Sequence, residues 1–143
     1  MCGWGPECVQ EARAEGRSPT WRRIWREHVT GPDYPDEFAH VSLLPLAQLR
    51  AIAEGLNLVA DQLLVDLARG AGGPGLWVAV HSGARLVGRD LSSVAVERAT
   101  ECAMALGMSE RAELAQNSFE QTGIASGSAD AVMSVDALQY APE

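Results

Sequence analysis

An α/β protein with a doubly wound, mostly parallel sheet is the fold class that this sequence predicts, and two observations predict it. From residue 62 onward, short apolar runs of strand type alternate with segments of helical pattern, as in parallel sheets whose strands are joined by right-handed crossovers. The first run, 63–67, leads into a turn over 70–73 that is nearly free of side chains, and a helix follows. Strand, glycine turn and helix in succession form the place where α/β proteins hold nucleotide-like ligands.

Four strands and two helices between them are predicted in this part of the chain. The strands are expected over 62–67, 85–89, 113–116 and 131–135, and the helices over 74–81 and 94–106. Ser92 or Ser93 is expected to cap the second helix, and Gly107 to end it.

A short helix is predicted ahead of the sheet. Thr20 is expected to cap a helix over 21–28. Two tryptophans, Ile24 and Val29 fall on one face of this helix, and such a stripe is typical of packing.

A second helix is predicted to begin near Pro45, where a missing N–H costs nothing, and to end with Gly55 as the residue just beyond its last turn. Its apolar stripe is expected to pack on the sheet. The predicted organisation is therefore a flexible N-terminus at 1–19, a helical cap at 20–56 and a partial α/β domain at 57–143.

Composition is that of an ordinary globular protein. A length of 143 residues fits one domain, and 47% apolar with 21% charged residues excludes wholesale disorder. The net charge is −8 and the chain contains no lysine. We expect no nucleic-acid partner, because phosphate binding requires clustered cations. Since no run of about 18 uncharged apolar residues occurs, no membrane partner is expected either.

The cysteines and histidines predict neither a metal site nor a covalent catalyst. Cys2, Cys8 and Cys102 are odd in number and form no C-x-x-C pair, which favours a reduced, cytoplasmic protein. The three histidines have no Ser or Cys partner in a recognisable arrangement. The catalytic residues are therefore left unknown.

The length of the chain leads us to expect a domain that is truncated at its C-terminus. The chain is short for a nucleotide-binding enzyme with its own substrate pocket, and it ends at Glu143, directly after the fourth strand. In a doubly wound sheet that strand would keep an unpaired flank. We expect an open apolar edge through which the protein can self-associate or bind a partner.

Ligands of open α/β sheets bind outside the carboxyl ends of the strands, and this chain places glycines and acids there. Gly70, Gly72 and Gly75 satisfy the spacing G-x-G-x-x-G, in which glycine tolerates positive φ and lets a ligand approach the main chain. Asp66 ends the first strand, and Asp90 follows the second, 20 residues beyond Gly70. A carboxylate at that interval can accept from both vicinal hydroxyls of a ribose. Asp66 suits a cationic group better than a pyrophosphate, which it would repel.

Other interpretations stay open for these residues. Asp66 could cap the glycine turn, and Asp90 could cap the helix that follows it. After the third strand come Ser118 and Phe119. Phe119 could cover an adenine face or simply fill the core.

Three segments of the chain carry a family resemblance. They are 66–77 (DLARGAGGPGLW), 86–92 (LVGRDLS) and 128–138 (SADAVMSVDAL). In this order they resemble the successive motifs of the class I S-adenosylmethionine-dependent methyltransferases, and most of all the small-molecule methyltransferases of the actinobacterial, natural-product kind. The likeness covers 62–143, and 21–56 is similar to the helical cap that precedes the sheet in those enzymes.

The resemblance implies a Rossmann-like sheet with strand order 3-2-1-4, S-adenosyl-L-methionine as cofactor and a small-molecule methyl acceptor. Asp66 and the backbone of 70–72 would face the methionine moiety, and Asp90 would bind the ribose hydroxyls. Leu91 would flank the adenine. The cofactor-binding residues implied in full are Asp66, Ala68, Gly70, Gly72, Asp90, Leu91, Ser118, Phe119 and Ser134.

Two of these residues lie after the third strand and one after the fourth. Ser118 and Phe119 would border the other side of the adenine, and Ser134 would lie near the sulfonium and the substrate entrance. Methyl transfer of this kind is a direct displacement, so no covalent enzyme intermediate is required.

The chain also departs from the pattern of the family. Ala68 stands where glycine is usual, Arg69 where a small residue is common, and Arg89 where an apolar residue usually precedes the ribose acid. Ser118 stands where an aspartate would accept from the adenine amino group, and a hydroxyl can still accept there.

Two alternatives accompany the methyltransferase hypothesis. One is a degenerate, non-enzymatic fragment that binds no cofactor and associates through its open sheet edge. The other is an NAD(P)-binding oxidoreductase domain, which fits the glycine spacing and Asp90 and is disfavoured by Asp66.

Overall fold

The fold is that of a computed structural model, which describes residues 18–34, 38, 44–68, 70 and 72–138. Most of the predicted flexible terminus, the last five residues and Arg69 lie outside the described residues. The side chain of Trp21 lies outside them too.

The sheet has four parallel strands in the order β3-β2-β1-β4, which confirms the Rossmann-like fold and the strand order 3-2-1-4. The strands are β1 (Leu63–Leu67), β2 (Arg85–Asp90), β3 (Ala112–Gln116) and β4 (Ala131–Met133). Leu64, Val65 and Asp66 of β1 are buried, as expected of the central strand in a parallel sheet.

The fourth strand is shorter than predicted. It ends at Met133 rather than at residue 135, and Asp136 adopts a φ of 55°, a left-handed conformation that a strand cannot contain. Among the described strands, β4 pairs with β1 alone. Val132 and Leu138 are exposed, so this end of the sheet presents apolar side chains.

Four α-helices lie among the described residues. They are α1 (Pro19–Trp25), α2 (Leu46–Leu56), α3 (Gly73–Ser82) and α4 (Ser93–Ala105). The prediction for α4 is confirmed, since Ser92 is the N-cap and its hydroxyl accepts from the Ala95 N–H. None of the described helices combines the length and apolar character needed to cross a membrane.

The two N-terminal helices differ from their predictions at one end each. Thr20 does not cap α1, because the helix already begins at Pro19, whose fixed φ and missing N–H suit a first turn. Gly55 does not follow α2 but lies inside it, and Asn57 adopts the left-handed conformation at the end, with φ 49°. Asn tolerates this conformation because its short side chain hydrogen-bonds locally.

The helix that begins at Pro19 continues as a π-helical segment, Arg26–Thr30. Gly31 closes it with a φ of 87°. Ile24 is exposed, whereas Trp25 and Val29 are half-buried. The predicted packing stripe is therefore wrong at Ile24, whose side chain is exposed to solvent.

The core lies between the sheet and the helices on one of its faces. Leu64, Leu76 and Leu86 are fully buried there, and Leu49 joins them from α2. Trp77 stacks on His81 with ring centroids 3.8 Å apart. The opposite face of the sheet carries a cavity of about 350 Å³. Its lining is apolar and comprises Val65, Leu67, Val132 and the connection between β3 and β4 at Thr122, Ile124, Ala125, Gly127 and Ala129.

Candidate functional site

The turn between β1 and α3 is built from left-handed residues. Ala68, Gly70 and Gly72 have φ values of 53°, 56° and 85°. Glycine adopts such conformations without penalty, whereas alanine pays about 1 kcal/mol or more for them. The first left-handed position of the turn is thus occupied by a residue that is strained there.

The end of β2 holds this turn in place. The Ala68 N–H donates to the Arg89 carbonyl at 2.8 Å, and the Gly70 N–H donates to Oδ2 of Asp90 at 2.8 Å. A main-chain bond and a charge-assisted bond therefore connect the two βα connections. Asp90, 20 residues from Gly70 in sequence, is in direct contact with it in space.

Asp90 has a second backbone partner. Its Oδ1 accepts from the Ser92 N–H at 2.9 Å, and the residue is only 6% exposed. Asp90 is not the N-cap of α4, because Ser92 occupies that position. The carboxylate of Asp90 thus connects the glycine turn to the start of α4.

Asp66 lies beneath the first turn of α3. The residue is 2% exposed, and a Cβ added at Gly75 would lie 2.1 Å from its Oδ2. Only glycine allows the helix to approach this carboxylate so closely. The positive end of the helix dipole then lies beside the charge of Asp66, which stabilises it.

The third strand brings its polar end to the same edge. The Asn117 N–H donates to the Asp90 carbonyl at 3.1 Å, and Ser118 and Phe119 follow it, both half-buried. The Asn117 side chain donates to the Gln121 carbonyl at 3.0 Å. Ser118 and Phe119 therefore lie in a short loop that is closed on itself.

Leu91 and Ser134 complete the predicted set. Leu91 is exposed, and its carbonyl accepts from the Gln116 side chain at 2.9 Å. Ser134 follows β4, next to Met133, which pairs with Asp66 in the sheet. The Ser134 Oγ is buried and has no hydrogen-bond partner among the described residues. A buried hydroxyl in this state is uncommon and marks a place where a ligand donor or acceptor would fit.

All nine predicted site residues thus lie at or just beyond the ends of parallel strands at one edge of the sheet. Hydrogen bonds join Asp90 to Gly70 and to Asn117 at the start of the loop after β3, and join Ala68 to Arg89. Sequence reasoning missed the part played by Arg89. In the sequence Arg89 is only a departure from the family pattern, yet its side chain is 7% exposed and bonds to three segments of the chain. An arginine within a strand carries no sequence signal of that kind.

Comparison with known proteins identifies relatives of this chain. A family profile described as a methyltransferase domain matches residues 64–143. A sterol 24-C-methyltransferase of Gibberella zeae is 31% identical over 100 residues, which cover 65% of this chain and 26% of that protein. The chain spans about a quarter of the length of the sterol methyltransferases that it matches.

Solved structures share the fold. A methyltransferase from Geobacter sulfurreducens, in complex with S-adenosyl-L-homocysteine, has a TM-score of 0.57 at 24% identity, covering 73% of this chain and 45% of that one. A geranyl diphosphate methyltransferase in complex with S-adenosylmethionine has a TM-score of 0.58 at 24% identity, covering 62% of this chain and 36% of that one.

Proposed function

This chain belongs to the methyltransferase domain family, and we propose that it binds S-adenosyl-L-methionine at the carboxyl edge of its sheet. Within the whole protein it serves transfer of the methyl group to a small molecule. One observation carries the proposal: two buried acids lie on either side of a bare backbone turn, Asp66 against Gly75 and Asp90 bonded to Gly70. This arrangement supports the assignment of the nine residues as the cofactor site.

The donor set fits the cofactor. The charge of Asp66 complements an ammonium or sulfonium group, and the absent side chains of Gly70 and Gly72 leave the main chain open to a ligand. Asp90 supplies a buried carboxylate at the end of β2, and a carboxylate at this place accepts hydrogen bonds from vicinal ribose hydroxyls. The buried Ser134 Oγ has hydrogen-bonding capacity that no described protein group uses.

The protein's own contribution to methyl transfer is binding and orientation. When bound, the cofactor supplies a methyl group on a positively charged sulfur, open to in-line attack by an acceptor. Asp66 would hold the methionine end of the cofactor and Asp90 its ribose, and the loop of Ser118 and Phe119 would confine its base. Because proximity and alignment supply much of the rate of such a displacement, the chemistry needs no catalytic triad.

We further propose that the acceptor is a small molecule with apolar character. Relatives of this chain are named as sterol 24-C-methyltransferases, and a structural neighbour as a geranyl diphosphate methyltransferase. An acidic domain without lysine also suits such an acceptor better than a nucleic acid. The resemblance to actinobacterial enzymes and the cytoplasmic location stay predictions.

Self-association through β4 is a second proposal. Its supporting observation is that β4 pairs with β1 alone among the described strands and exposes Val132, while Leu138 after the strand is exposed as well. A strand edge flanked by apolar side chains is a template for pairing with another chain.

Calorimetric titration with S-adenosylhomocysteine tests the cofactor site. The chain is expected to bind this ligand and not NADH, since a pyrophosphate beside Asp66 is repelled. Asp66→Asn should weaken binding about tenfold, because it removes one charge and keeps the shape. Asp61→Asn, at an exposed position, is the matched control. A folded chain that gives no heat at millimolar S-adenosylhomocysteine would refute the proposal, and binding of NADH would favour the oxidoreductase alternative.

Size-exclusion chromatography at several concentrations tests self-association. Elution as a dimer that Val132→Lys converts to a monomer is the expected result, because edge lysines block strand pairing. A monomer at all concentrations would contradict the self-association proposal without touching the cofactor site.

A further inference from the structure

Arg89 is a buried arginine on the face of the sheet that faces away from α3. Its register partner in β1 is Leu67, and its side chain is 7% exposed. The guanidinium donates through Nε to the Thr122 carbonyl at 2.9 Å. It donates through Nη1 to the Gly88 carbonyl at 3.2 Å, and through Nη2 to the Glu113 carboxylate.

We propose that Arg89 is a positioning residue for the base of the cofactor: it anchors the loop over 117–122 to the sheet and so fixes Ser118 and Phe119 beside the site. This inference rests on the proposed function. The hydrogen bonds described for the Arg89 side chain go to Thr122, Gly88 and Glu113, which are not among the nine proposed cofactor residues, so we expect its effect on the ligand to pass through the loop.

The loop has one anchor at each end. At its start, the Asn117 N–H donates to the Asp90 carbonyl at 3.1 Å, a bond that depends on the main chain alone. At its end, Thr122 is bonded to Arg89. Between them, the Asn117 side chain spans the loop to the Gln121 carbonyl. Of these two hydrogen bonds to β2 among the described residues, removing the Arg89 side chain leaves the one at the start of the loop.

The anchor at Thr122 depends on the guanidinium and much less on its ion pair. Glu113 is 68% exposed, so the attraction between the two charges is screened by solvent. The bonds to the Thr122 and Gly88 carbonyls are part-buried and buried, and a charged donor is more effective there than at the exposed carboxylate. The planar fork of arginine reaches the carbonyls and the carboxylate together, which a single ammonium cannot do.

Arg89 also connects the loop to the glycine turn. The Arg89 carbonyl accepts from Ala68 in the glycine turn, while its side chain holds Thr122. One residue of β2 thus contacts both the methionine side and the adenine side of the proposed site.

The first test measures hydrogen exchange of the ligand-free protein. Arg89→Met keeps the aliphatic stem and removes the donors. The amides of 118–124 are expected to exchange about tenfold faster in this variant, because it loses one charged hydrogen bond that holds the loop. The amides of β1 are expected to stay protected. Arg85→Met is the matched control, since Arg85 lies in the same strand on the same face and is exposed. Should Arg89→Met fail to fold, Arg89→Lys replaces it and is expected to loosen the same amides.

The second test compares two ligands. S-adenosylhomocysteine carries the adenine, whereas S-ribosylhomocysteine keeps the homocysteine and ribose and lacks the base. Arg89→Met should weaken binding of S-adenosylhomocysteine about tenfold and leave the affinity for S-ribosylhomocysteine unchanged. Glu113→Gln should alter neither of these two affinities. A merely destabilised protein would lose both affinities in equal proportion.

The two tests separate the failures. Unchanged exchange over 118–124 overturns the role of Arg89, as does an equal loss of both affinities. If the unaltered chain binds neither ligand, the proposed function fails, and with it the role of Arg89 in binding, while the exchange result still decides whether Arg89 anchors the loop.

Discussion

The carboxylate of Asp90 accepts a hydrogen bond from the backbone N–H of Gly70 at 2.8 Å. The bond joins the end of one parallel strand to the glycine turn that follows its neighbour. Because the second oxygen accepts from Ser92, one side chain fixes the backbone on both sides of the proposed ribose site. Asp90 thus combines a structural role with its proposed role in binding.

Asp90→Ala is expected to lower the free energy of unfolding by about 2–3 kcal/mol, because it leaves two backbone donors without their charged acceptor. Affinity for S-adenosylhomocysteine should fall at least tenfold as well. Denaturant unfolding and calorimetry measure the two effects. Glu97→Ala, at an exposed position of α4, is the control, and equal stability of the two variants would contradict the bonds described for Asp90.

Ala68→Gly is expected to stabilise the protein by about 0.5–1 kcal/mol. Relief of the left-handed conformation at φ 53° outweighs the greater freedom of glycine in the unfolded chain. Ala51→Gly, in the exposed interior of α2, should do the opposite and cost about 1 kcal/mol. Thermal unfolding of both variants measures the direction of each change in stability. A destabilised Ala68→Gly protein would contradict the backbone strain inferred at Ala68.

Gly75→Ala is expected to destabilise the protein by about 2 kcal/mol or more, since its Cβ would meet Oδ2 of Asp66 at 2.1 Å. The matched change, Gly55→Ala in α2, meets no atom within 4 Å and should stabilise by about 1 kcal/mol. Urea unfolding compares the two. Tolerance of alanine at 75 would mean that α3 does not approach Asp66 so closely.

Ser134→Ala should separate stability from binding. The Oγ is buried with no described hydrogen-bond partner, so its removal is expected to leave the free energy of unfolding unchanged or slightly higher. Affinity for S-adenosylhomocysteine should nevertheless fall, by about fivefold, if the ligand uses this hydroxyl. Denaturant unfolding and calorimetric titration of one preparation measure the two quantities. An unchanged affinity for S-adenosylhomocysteine would show that Ser134 is not part of the proposed site.

The predicted helix limits were good where local signals are strong and poor where they compete. Ser92 caps α4 as predicted, because its hydroxyl accepts a hydrogen bond from a backbone N–H in the first turn of the same helix. At the end of α2, however, Gly55 and Asn57 both suit a left-handed residue, and the helix continued to the second. Local propensity names both candidates and cannot rank them.

The sequence by itself determined the fold class and the edge of the sheet at which the polar residues gather, because hydrophobic periodicity and the handedness of crossovers leave few arrangements. The strand order came from the family resemblance. Only the tertiary structure decided which atoms meet at that edge. The contact of Gly75 with Asp66, the bond from Gly70 to Asp90 and the anchoring of Thr122 by Arg89 join separate elements. Such contacts depend on how strands, helices and loops are placed against one another, to within a few tenths of an ångström. The spacing of residues along the chain does not encode that placement.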